Sequence, residues 1–111
     1  MKNSEIKFNI TLDEEKIPQS ITWEASDSGV EGTKPCKATM LAIWDANENT
    51  TLRIDLWTKD MMVDDMKRFF YESLASMADT YQRATNDASL AGEMKKFADD
   101  FGRKSELFKT Q

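Results

Sequence analysis

The chain has 111 residues, 40% of them hydrophobic and 32% charged, and a net charge of −5. That length suits one domain with one core, and those proportions exclude a disordered or membrane-spanning class. An acidic balance with no segregated basic patch argues against nucleic acid or anionic lipid as a partner, since both would be repelled.

In chain order, Ile6, Phe8, Ile10 and Leu12 alternate with Lys7, Asn9 and Thr11, the period of two that a half-buried strand shows. This predicts a strand near 4–13, ending in the polar run Asp13-Glu14-Glu15-Lys16. After Pro18, Ile21, Trp23 and Ala25 alternate with Thr22 and Glu24, which predicts a second strand near 20–26 and a hairpin with the first. Residues 26–35, SDSGVEGTKP, are dense in Gly, Ser and Asp and read as an exposed loop.

Residues 36–45, CKATMLAIWD, carry two alternating sets that are both apolar: Ala38, Met40, Ala42 and Trp44 on one side, Leu41 and Ile43 on the other. A strand buried on both faces has this pattern, and so has a short helix. The turn-rich Ala46-Asn47-Glu48-Asn49 and the clean alternation of Leu52, Ile54 and Leu56 favour strands near 36–46 and 50–58, forming a second hairpin. Asp60 is the expected N-cap of a helix near 61–85, with Asp64 and Asp65 in its first turn, where the macrodipole favours negative charge. Val63, Met66, Phe70, Leu74, Met77, Tyr81 and Ala84 recur every three or four residues along roughly 33 Å of that helix. Leu90, Met94, Phe97, Phe101 and Phe108 mark a second helix near 88–108, weakened by Gly92 and Gly102. The expected fold is a single α+β domain over 1–111: a four-stranded antiparallel sheet followed by two long antiparallel helices packed on one face. The sheet's core face would carry Ile6, Phe8, Ile10, Leu12, Ile21, Trp23, Leu52, Ile54 and Leu56.

Chemistry is hard to find. The chain has no histidine, which removes Ser-His-Asp triads, Cys-His dyads and the commonest zinc ligand and general base. A single cysteine, Cys36, cannot form an internal disulfide, and with only Lys34 and Lys37 near it in sequence it reads as an inert half-buried thiol. Asp64-Asp65 and Asp99-Asp100 are helix neighbours about 100° apart, so they read as solvated acids rather than as a cation site. The four glycines, at 29, 32, 92 and 102, form no phosphate-binding pattern. The expectation is a non-enzymatic protein with no cofactor and no metal. No apolar run approaches the roughly 20 residues that span a bilayer, and the opening MKNSEIKFN lacks an apolar leader, so no direct membrane insertion and a cytoplasmic location are expected.

Three stretches also carry a family likeness. IDLWTKDM at 54–61, FFYESLASMADTYQRATND at 69–87 and SEIKFNITLDEEKIPQSITWEASD at 4–27 resemble the gliding-motility protein C (GldC) family of the Bacteroidetes, over nearly the whole chain. The resemblance implies a soluble accessory component of the gliding-motility machinery that acts through protein–protein interaction, associated with an envelope lipoprotein of the apparatus. It brings no catalytic residues. Met62 departs from the family pattern, which often has proline there. The alternative is an oligomeric chaperone of the SecB type, holding unfolded segments on an apolar sheet, because that family also places two helices after four strands. The residues expected to bind a partner are Met40, Trp44, Trp57, Met61 and Met62, since methionine adapts to irregular partners and tryptophan anchors interfaces. A homo-oligomer, a dimer in the first place, is expected through Trp57 and either Met40 with Trp44 or Leu41 with Ile43.

Overall fold

A computed structural model describes residues 2–27, 29 and 31–106. Contacts divide the chain into two compact units, Met1–Met61 and Met62–Gln111.

In the first unit, β1 (Ile6–Leu12), β2 (Pro18–Ala25) and β3 (Lys34–Cys36) form an antiparallel sheet in the order β1-β2-β3. A second sheet holds β4 (Ala38–Asp45) and β5 (Thr50–Trp57) alone. The single four-stranded sheet expected from the sequence is therefore corrected to five strands in a three-stranded and a two-stranded sheet. The cause is local. β3 and β4 are separated only by a bend at Lys37, where the chain changes partner: Cys36 lies opposite Ile21 of β2, whereas Ala38 lies opposite Trp57 of β5. Alternation reveals a strand but not which neighbour it pairs with. β3 was hidden in the stretch read as loop because it contains Pro35, which has no N–H and is tolerated here because β3 is an edge strand.

Both hairpins turn by the same device. The Asp13 carboxylate accepts the N–H groups of Glu15 and Ile17, and Lys16 takes the left-handed conformation at φ 65°. The Asp45 carboxylate likewise accepts from Asn47 and Glu48, with Asn49 at φ 52°. An aspartate closing its own strand's end is a turn former because its side chain mimics a backbone acceptor.

The expected core face is only partly a core. Register places Phe8 with Trp23 and Ile10 with Ile21 on one side of the first sheet, and Ile21, 1% exposed, is the one large side chain fully buried among the described residues. Ile6, Leu12, Leu52 and Ile54 are exposed instead.

The second unit is a helical hairpin, α1 (Val63–Thr85) and α2 (Ala88–Lys104). The N-cap of α1 is Met62, with no side-chain hydrogen bond, and not the expected Asp60. Asp60 is engaged elsewhere: its carboxylate accepts the Thr58 hydroxyl at 2.6 Å and lies 3.7 Å from the Lys37 ammonium. α1 ends at Asn86, left-handed at φ 59°, whose N–H donates to the Gln82 carbonyl, the usual helix stop. Asp87 then caps α2 by accepting the Leu90 N–H at 3.1 Å. The buried positions are all small, Ala78 on α1 and Ala91, Ala98 and Gly102 on α2, as side-by-side helices in close approach require. α2 stops earlier than the pattern suggests, at Lys104, and Phe108 lies outside the described residues. Val63, Phe70 and Met77, seven residues apart, are exposed, as are Leu90 and Phe97; Leu74 and Tyr81 are half-buried. Among the described residues, no helix is long and apolar enough to cross a membrane.

Candidate interaction surface

The β4–β5 ribbon carries two exposed tryptophans, Trp44 and Trp57. Directly opposed residues of an antiparallel pair share a face, so register sorts the ribbon into two sides. Ala38, Met40, Ala42 and Trp44 lie opposite Trp57, Asp55, Arg53 and Thr51 on one side. Thr39, Leu41 and Ile43 lie opposite Leu56, Ile54 and Leu52 on the other.

On the first side, Trp44 is 66% and Trp57 54% exposed. Trp44 faces Thr51 at one end and Trp57 faces Ala38 at the other, a separation of roughly 20 Å along the strand at about 3.4 Å per residue. Met40 lies between them, half-buried, and the centre of the face holds an ion pair, Arg53 on Asp55 at 2.9 Å. Three of the five expected partner-binding residues thus share one face. The other two do not. Met61 is half-buried after the end of β5, its N–H donating to the Thr58 carbonyl, and Met62 is the exposed N-cap of α1.

The second side is as apolar on β5 as expected but more exposed. Ile43, Leu52 and Ile54 are each about half exposed. Alternation groups Leu52 with Ile54 correctly and the register adds Ile43 to their face, but alternation carries no information about what covers that face.

Where the strands change partner, polar groups fix the chain. Thr58 is buried, its N–H donating to the Lys37 carbonyl at 2.8 Å, and the Lys59 N–H donates to the Pro18 carbonyl. The Lys59 ammonium reaches Asp13 at 3.1 Å. The Asp13 carboxyl is held below the ordinary carboxylate value first by the Ile17 N–H and then by Lys59. Asp60 is held low by the Thr58 hydroxyl, with Lys37 adding to it. Burial pushes the Cys36 thiol up, which keeps it protonated and a poor nucleophile at neutral pH. Among the described residues, no three Cys, Asp or Glu side chains gather as a metal site would need. A recess of about 200 Å³ lies beside the end of β5, lined by Ile17, Pro18, Asp55, Leu56 and Trp57.

Residues 18–107 match the family model of the gliding motility-associated protein GldC-like family, that is, from the first residue of β2 through both helices. The chain belongs to the GldC-like family. No curated protein and no solved structure matches it. Membership ties the protein to gliding motility, and β1 lies outside the matched range.

Proposed function

We propose that this GldC-like chain is a non-catalytic accessory component of the gliding-motility machinery that works by protein–protein contact through the β4–β5 ribbon. The observation that carries the reading is the exposure of Trp44 and Trp57 on one face, with Ile43, Leu52 and Ile54 exposed on the other. Monomers seldom leave apolar side chains uncovered on both faces of one element, and tryptophan in such a position anchors interfaces. The chemistry supports binding over catalysis: no histidine is available, the cysteine is held protonated, and the central charges of the ribbon neutralise one another. The partners proposed are a protein of the gliding apparatus in the cell envelope, a lipoprotein in the first place, and a second copy of the chain.

The test is affinity capture from gliding cells with the native chain and a Trp44→Ser/Trp57→Ser variant. One defined envelope protein should be retained by the native chain and lost, about tenfold or more, by the variant. Equal capture by both would remove the ribbon from the account. Preferential retention of unfolded polypeptides would instead support the chaperone reading, which the apolar side of the ribbon also suits.

A further inference from the structure

We propose that the outer edge of β5 is a self-pairing edge: two copies of the chain join β5 to β5, antiparallel about a two-fold axis at Ile54, so that their ribbons become one four-stranded sheet. This rests on the self-association proposed above and supplies its geometry.

Four observations point there. First, among the described residues β5 pairs with β4 alone, and every residue from Thr50 to Asp55 is exposed. A two-stranded ribbon is marginal by itself, and three or more strands are the usual stable unit. Second, the edge has little of what keeps edge strands apart: its two charges, Arg53 and Asp55, pair with each other, and Ile17 and Pro18 flank only its end. Its sequence, TTLRIDLW, contains neither proline nor lysine, and its pairing with β4 runs without a bulge.

Third, the backbone parity fits. The Thr58 N–H points at β4, donating to Lys37. Since backbone groups alternate along a strand, the even-numbered residues of β5 face β4, while Thr51, Arg53, Asp55 and Trp57 aim their N–H and C=O groups outward. Pairing about Ile54 sets Arg53 opposite Asp55 of the second copy, which joins outward residues to outward residues.

Fourth, the sequence is self-complementary about that axis. Arg53 meets Asp55 of the second copy twice, Leu52 meets its Leu56 twice, and Ile54 meets its Ile54. Charges attract on one side, and a band of Leu and Ile runs unbroken across both copies on the other. Arg53 and Asp55 already pair within each chain at 2.9 Å, so both side chains are positioned at the face where the cross-strand pairs form. Exchanging one partly exposed pair for another costs little. Ile17 and Pro18 flank the end of the edge beside Trp57, and this register sets only the small Thr51 of the second copy opposite Trp57.

The experiment is sedimentation equilibrium of four proteins: the native chain, Arg53→Asp, Asp55→Arg, and the double exchange. The native chain should show twice 12.7 kDa. Each single reversal sets like charges opposite one another at two places and should weaken the dimer by about tenfold or more. The double exchange should return to within about threefold of native. In parallel, Ile54→Cys in a Cys36→Ser background should give a disulfide-linked dimer on mild oxidation, because directly opposed residues lie within about 5.5 Å. Circular dichroism on each variant separates lost association from lost folding. A dimer indifferent to all the reversals, or without cross-linking at residue 54, overturns the edge pairing and leaves self-association by another surface. A monomer at every concentration overturns both.

Discussion

Ile21 shows how far burial can differ between positions that look alike in sequence. It belongs to the same alternating pattern as Ile6, but Ile21 is 1% and Ile6 70% exposed, because Ile21 is in the central strand, with neighbours on both sides, whereas Ile6 begins an edge strand. Ile21→Ala should therefore cost about 2–5 kcal/mol, and Ile6→Ala less than about 0.5 kcal/mol, as read from urea unfolding midpoints. Titration adds a second expectation at this scale. Asp13 and Asp60 are both held below the ordinary carboxylate value in the folded chain. A depressed folded pKa gives stability that is fully present above the unfolded value, about 3.9, and is lost as pH falls through the folded one. Unfolding midpoints should thus drop on acidification below about pH 4, and Asp13→Asn with Asp60→Asn should flatten that drop.

The helices were legible because their three-and-four spacing is long, and their connection because Asn86 and Asp87 are strong stop and start residues. The start of α1 was not. Asp60 has the chemistry of a cap, but the Thr58 hydroxyl and Lys37 engage its carboxylate, so the helix begins after Met62 with no side-chain cap. Met62→Ser should supply the missing acceptor and raise stability by about 1 kcal/mol. Asp87→Ala should cost about as much at the start of α2, where the carboxylate receives the Leu90 N–H; thermal unfolding of the two variants should move in opposite directions. Among the strands, four of five could be read from alternation. The fifth, Lys34–Cys36, is too short to alternate and follows a glycine-rich stretch. The change of partner at Lys37 is a tertiary event with no local signature, which is why one expected sheet is two.

At the scale of the whole molecule, two compact units share a chain that belongs to the GldC-like family. That Met40 and Trp44 share a side of their strand could be read from the sequence, because a period of two sets it; that Trp57 joins them, and not Leu41 and Ile43, is decided by the β4–β5 register. The exposure of Ile43, Leu52 and Ile54 could not be read, since it depends on which elements come to lie over them. The central claim is that the β4–β5 ribbon completes itself on another protein. Residue-resolved amide hydrogen exchange, followed in dilute and in concentrated protein, tests it most directly. Protection should rise with concentration at the outward N–H groups of Thr51, Arg53, Asp55 and Trp57, while those of Leu52, Ile54 and Leu56, which face β4, change little. Exchange at those four outward amides that stays fast at every concentration, and also with the captured envelope partner present, would contradict the account.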